Sequence, residues 1–305
     1  MTTFDGWLDD WNLALSTGTV AEGTRAVYLR GVRQFLAWLA DADPAVTAPG
    51  QVTRRHVHGW LTSLNESGKG DATRLVRLKS LALFFSWLAD EPGSDVTSNP
   101  CDKVDRPVAR APLVPVVPDV DVRRLLAGMT APTYADLRDT AIVRLLFDAG
   151  LRRAELVGLD VVDVDLREGV VHVMGKGRKP RAAAMSPKTI LALSRYRRLR
   201  DRHPGKADPA FFLTSRPSRF GWRLSGGAVA EMLTRRCRAV GLEPINPHRA
   251  RHTATHALLS AGATESDVEQ LMGWSGPAML RRYGRAMASE RAIAAAHALK
   301  IGDRY

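Results

Sequence analysis

Six polar residues in the last two-thirds of the chain are of the types needed to move a phosphoryl group onto a phenol: Arg152, Lys176, His248, Arg251, Trp274 and Tyr283. A phenol ionises near pH ~10, so Tyr283 is a weak nucleophile unless positive charge stands beside it. Arg281, Arg282 and Arg285 supply such charge in the local sequence. Arg152 lies in Gly150-Leu151-Arg152-Arg153-Ala154-Glu155-Leu156. One helix ends at Gly150 and the next carries Arg152 in its first turn, where spare backbone donors favour an anion. Its guanidinium fork matches two nonbridging phosphate oxygens. Glu155, three residues on, shares that helix face and either orients a site residue or forms an ordinary surface pair with arginine.

The segment Gly175-Lys176-Gly177-Arg178-Lys179-Pro180-Arg181 follows a strand-like stretch. Its glycines permit a tight hairpin that can approach a sugar-phosphate backbone closely. Lys176 on such a hairpin can protonate a leaving 5′ oxygen, or it can simply hold phosphate together with Arg178, Lys179 and Arg181. The segment lacks the spacing and the following helix of a nucleotide-binding P-loop. His248 and Arg251 stand three apart at a helix start, so a proton acceptor and a phosphate-holding cation share one face, with Arg249 beside them. His248, His252 and His256 stand four apart. A metal site is disfavoured there, since HExxH and a nearby cysteine pair are lacking and an arginine interrupts the cluster. His252 and His256 are read as core histidines, and the reading includes no metal and no cofactor. Trp274, in Leu271-Met272-Gly273-Trp274-Ser275, can give its indole N–H to a phosphate oxygen.

Two kinds of element must position these groups. Residues 1–95 read as a helical domain, with apolar residues at helical spacing around Trp7 and Trp11, Val27 to Leu39, Val57 to Leu64, and Leu75 to Leu88. The tryptophans are read as core. Arg74 and Lys79 could face DNA, although a solvated helix face explains them almost as well. Residues 96–117 are rich in proline and read as a linker. Residues 118–305 read as a mostly helical domain with a small sheet around Val170 to Met174. Its last helices are expected at Pro277 to Met287 and Ser289 to Leu299.

Charge is divided unevenly. Residues 1–110 carry 13 acidic and 12 basic side chains, whereas residues 111–305 carry 19 and 32. A polyanion bound mainly by the C-terminal part is the natural partner. No apolar run is long enough for a membrane span, and the start is acidic rather than signal-like. Two cysteines without near neighbours fit a reducing cytoplasm.

Together these segments resemble the tyrosine recombinases of the phage-integrase and Xer type. The family pattern of GLR-x-x-E, a GKG lysine, H-x-x-R, LGH or LGW and a tyrosine is matched by GLRRAE, GKGRKPR, HRAR, MGW and Tyr283. The resemblance implies a SAM-like helical core-binding domain, which binds DNA, and a mixed α/β, mostly helical catalytic domain with a small sheet, closing on DNA as a C-shaped clamp. It implies that Arg152 and Arg251 clamp the scissile phosphate, Lys176 protonates the 5′ oxygen and His248 accepts a proton. Trp274 stands at the second histidine position, Glu155 is the supporting acidic residue, and Tyr283 becomes joined to the 3′ phosphate. Neither metal nor ATP is implied. The implied assembly is a homotetramer on double-stranded DNA that exchanges C-terminal helices and forms a Holliday junction, with a directionality factor or second recombinase as further partners. Ala250 in place of the usual leucine, and Ala182 to Met185 in place of VPL, depart from the pattern without removing a catalytic group. These departures point toward a compact integrase of a phage or other mobile element lacking an arm-binding domain. An Xer-type resolvase of chromosome or plasmid dimers is the alternative. A relaxing topoisomerase and a catalytically silent DNA-binding protein are weaker ones.

Overall fold

The computed structural model describes residues 4–108, 115–175, 180–215 and 220–274, together with residues 293 and 297. The chain divides into two compact units, residues 1–112 and 113–305. In the first, four helices enclose one apolar core: α1 (Phe4–Thr17), α2 (Glu22–Ala42), α3 (Arg54–Glu66) and α4 (Asp71–Asp90). Each turns one stripe inward, as period-3.6 patterning requires: Trp7 and Trp11, then Leu29, Val32, Phe35 and Leu39, then Val57, Trp60 and Leu61, then Leu78, Leu81, Phe84, Phe85 and Leu88. Phe35 meets Trp60 edge to face at 5.2 Å and 71°, a favoured aromatic geometry. The tryptophans Trp7, Trp11 and Trp60 are therefore core, as their spacing predicts.

The second unit is built on α6 (Tyr134–Phe147), whose Ala141, Ile142, Val143, Leu145 and Leu146 are all fully buried. Around it lie α5 (Asp119–Ala127), the short α7 (Arg153–Gly158), α8 (Pro187–Arg200), α9 (Gly226–Ala239), α10 (Pro247–Ser260) and α11 (Glu265–Met272). A three-stranded antiparallel sheet runs in the order β1 (Val164–Asp165), β2 (Val170–Met174), β3 (Pro180–Ala184). Val171 and Val173 point into the core while His172 and Met174 face out, which is the alternation of a half-buried strand. Helix starts are fixed by side-chain caps: Asn246 accepts from the Arg249 amide at 2.8 Å and Thr264 from the Asp267 amide at 3.1 Å. Asp139, fully buried, accepts from Arg138 at 2.9 Å and from Arg236 at 2.8 Å, which offsets the cost of its burial. The mostly helical architecture with one small sheet agrees with the fold class expected from the sequence. The helices expected at 277–287 and 289–299 lie outside the described segments.

Candidate active site

Glu155 is the centre of the site. Burial alone would push its carboxyl up. The Arg152 backbone N–H and the guanidiniums of Arg181 and Arg152 outweigh that and hold it below its ordinary value. One oxygen accepts from the Arg152 backbone N–H at 2.8 Å and from Arg181 Nη2 at 2.7 Å. The other accepts from Arg152 Nη1 at 2.6 Å. Arg251 Nη1 stands 3.8 Å away. One carboxylate thus faces three guanidiniums, and the excess positive charge makes the site an anion trap.

The same three arginines grip the end of α11. The last carbonyls of a helix have no partner within it and carry the negative end of its dipole. Arg181 donates to the Leu271 carbonyl, Arg251 to that of Met272 and Arg152 to that of Gly273, the last at 2.8 Å. Arg251 also donates to the Gly150 carbonyl at 2.6 Å. Elements far apart in sequence therefore converge at one point, and Trp274 follows directly. Its ring centroid lies 5.8 Å from the Arg251 guanidinium carbon.

Two glycines make this closeness possible. Gly150 and Gly273 both have φ of 58°, in the left-handed region that other residues enter only at a cost. A Cβ on Gly273 would stand 2.6 Å from Arg181 Cδ, and one on Gly150 would stand 2.7 Å from Met272 Cε. Gly273 also ends α11 as a left-handed C-cap.

Arg152, Glu155, Arg251 and Trp274, expected together from the sequence, are brought together. His248 is exposed on the first turn of α10, its ring 4.8 Å from and perpendicular to that of His252. Lys176, Arg178, Lys179, Arg281, Arg282 and Tyr283 lie outside the described residues. Arg153 is exposed on α7. Arg181, expected on a phosphate-holding surface, is instead enclosed: its side chain is 7% exposed and its Nη groups are committed to Glu155 and Leu271. Arg249 donates to the Pro115 carbonyl at 3.0 Å, tying the chain ahead of α5 to α10, where the Thr253 hydroxyl also accepts from the Val117 amide at 2.9 Å. In the N-terminal unit Arg74 pairs with Asp71, while Lys79 is exposed. Sequence reasoning missed the roles of Gly273 and of the α11 carbonyls. The one available signal was a glycine directly after an apolar helical pattern, which marks a C-cap.

Among the described residues no group of three or more His, Cys, Asp or Glu side chains is arranged to hold a metal ion. Among them, too, no helix is long and apolar enough to cross a membrane.

Comparison with known proteins agrees with this geometry. The phage integrase family matches residues 116–290, and the phage integrase N-terminal SAM-like domain matches residues 7–95. Tyrosine recombinase XerC of Pelobacter propionicus is 31% identical over 85% of this chain and 83% of its own length. Tyrosine recombinase XerC of Chromohalobacter salexigens is 36% identical over 54% of this chain, an alignment that spans 55% of that protein. Among solved structures, XerH site-specific recombinase in a post-cleavage complex with palindromic difH shares the fold at a TM-score of 0.72, with 17% identity over 89% of this chain and 79% of that one. The curated relatives therefore favour the Xer-type alternative over the mobile-element integrase that the motif departures suggested. This chain belongs to the phage integrase family, the tyrosine recombinases, whose members cleave and religate DNA through a phosphotyrosine.

Proposed function

We propose that this protein is an Xer-type site-specific recombinase that resolves chromosome or plasmid dimers in the bacterial cytoplasm. The observation that carries the reading is the convergence of Arg152 and Arg251 on one buried carboxylate, next to Trp274, with net positive charge left over. The Arg152 side chain is 30% exposed, more open than those of Arg181 and Arg251, and the scissile phosphate is proposed to sit beside it.

In the proposed reaction the Tyr283 phenol oxygen attacks phosphorus as its proton passes to His248. A 3′-phosphotyrosine forms, and the phosphorus–5′ oxygen bond breaks. The departing oxygen takes a proton from Lys176. Arg152, Arg251 and the Trp274 N–H stabilise the charge developing on the nonbridging oxygens, and Glu155 orients the two arginines. A 5′ hydroxyl of a partner duplex reverses the step, so the broken bond's energy is kept in the phosphotyrosine. A homotetramer on double-stranded DNA, exchange of C-terminal helices, and help from a directionality factor or second recombinase complete the proposal. Residues 1–95 would serve as the core-binding domain and 118–305 as the catalytic one, joined by 96–117. Arg153, Arg178, Lys179, Arg249, Arg281, Arg282, Arg74 and Lys79 are proposed DNA contacts.

The test is covalent capture on nicked genomic fragments that lose a short leaving strand, with the modified residue identified by mass spectrometry. A 3′-phosphotyrosine at Tyr283, lost in Tyr283→Phe while DNA affinity persists, is expected. An adduct at another residue would overturn the assignment. Trapped sequences at an element–host junction rather than at a chromosomal or plasmid resolution site would overturn the Xer role.

A further inference from the structure

We infer that Arg181 is a positioning residue for strand cleavage and not a DNA contact. It acts by locking Glu155 and the end of α11 into one rigid unit, and the inference rests on the recombinase reading above. Arg181 sits on β3, where it pairs with Val173 of β2. Its side chain is 7% exposed, against 30% for Arg152 and 6% for Arg251, and both its Nη groups are already spent on protein acceptors. One Nη donates to Glu155 at 2.7 Å and the other to the Leu271 carbonyl. The latter lies two residues before Gly273, whose carbonyl Arg152 holds, and one before Met272, whose carbonyl Arg251 holds. The left-handed Gly273 leaves room for the Arg181 stem, since a Cβ there would stand 2.6 Å from Cδ. Three arginines on three successive carbonyls and one shared carboxylate form a closed circuit. Arg152 and Arg251 are the members proposed to hold phosphate. Arg181 completes the circuit from the sheet side and sets where Trp274 begins.

A planar fork can reach two acceptors in different directions at once, whereas a lysine ammonium is a single point of charge. Arg181→Lys therefore keeps the charge but breaks the bridge, and it separates the two roles. The experiment measures Arg181→Lys and Arg181→Gln in the full chain. Affinity for a mixed-sequence duplex is followed against salt, and single-turnover cleavage at saturating protein is followed on a nicked duplex carrying the captured site. Cys237, fully buried in the same unit, reports folding through its resistance to alkylation.

A positioning role predicts unchanged affinity and an unchanged salt slope in both variants, with cleavage slower by ~100-fold, the scale of a small misplacement at a reacting centre. A phosphate contact predicts a slope smaller by about one in the glutamine variant and restored in the lysine variant. That result, or full-rate cleavage by folded Arg181→Gln, overturns the inference. So does Cys237 becoming reactive in both variants, which would assign Arg181 to folding alone. Absence of adduct with the unsubstituted protein is a different failure: it overturns the recombinase reading and the positioning role with it. The salt slope still reports whether Arg181 touches DNA.

Discussion

Replacing Glu155 by alanine removes the one anion from a cluster of three guanidiniums. The carboxylate side chain is 3% exposed and accepts at 2.6, 2.7 and 2.8 Å, so solvent cannot replace what is lost. Removing one partner of a buried ion pair costs about 3–5 kcal/mol, chiefly because the remaining charges stay buried without compensation. Here the remaining charges also repel one another, while the α11 carbonyls still hold part of each guanidinium. The expected loss for Glu155→Ala is therefore about 3–4 kcal/mol at neutral pH. Glu155→Gln keeps one acceptor oxygen and should lose about 2 kcal/mol.

The two buried cysteines make the measurement possible in the intact chain. Cys101 lies in the N-terminal unit, where burial and neighbouring Asp102 push its thiol up to about 12, and Cys237 lies in the catalytic unit. Pulsed alkylation along a urea series, resolved by peptide mass, then gives a separate midpoint for each unit. The Cys237 midpoint should fall. Because the folded Glu155 carboxyl titrates below its unfolded value, its contribution is fully present above the unfolded pKa of about 4.3 and fades as pH drops through the folded one. The gap between wild type and Glu155→Gln should therefore narrow on acidification below pH ~4. A Glu155→Ala midpoint within about 1 kcal/mol of wild type at pH 7 would refute the electrostatic reasoning.

Gly273→Ala must enter a left-handed conformation and meet Arg181 Cδ at 2.6 Å, so a loss of about 2–4 kcal/mol at Cys237, together with lost cleavage, is expected. A change below ~1 kcal/mol would show that the clasp gives way easily. Asn246→Ala removes the cap that accepts from the Arg249 amide at 2.8 Å, and should cost about 1 kcal/mol in the same assay. Trp60→Ala, in the core of the N-terminal unit, should lower the Cys101 midpoint by about 3–5 kcal/mol, and a loss below ~1 kcal/mol would contradict its place in that core.

Much of this arrangement was legible because helical spacing and local motif each carry their own physics. The apolar stripes of α2 and α4 mark one face of each helix, and the alternation in Val170 to Met174 marks a strand. Arg152 and Glu155 were read as sharing a helix face; Arg152 is instead the extended N-cap of α7, and Glu155 reaches back to its amide and guanidinium. What the sequence left hidden is long-range. Nothing near Arg181 announces that its partners lie 26 residues back and 90 residues on. A basic residue in a basic hairpin reads as a phosphate contact, and its enclosure between Glu155 and Leu271 has no local signal in the sequence. The partners of Arg249 were hidden in the same way, since Pro115 and Val116 belong to a segment read only as a linker. Backbone carbonyls are invisible to motif reading altogether, yet those of residues 271–273 organise the site.

The paired left-handed glycines have a consequence for how such a protein can vary. Gly150 and Gly273 bear no functional group, yet both hold a left-handed backbone, and at Gly273 the Arg181 stem also fills the space a side chain would need. A saturation map of recombination should therefore show two silent positions as intolerant as the arginines themselves. The reagents of the reaction could be exchanged conservatively sooner than the emptiness that lets them meet. Selection for a new DNA site would find its freedom elsewhere, on exposed faces, while this hollow stays fixed.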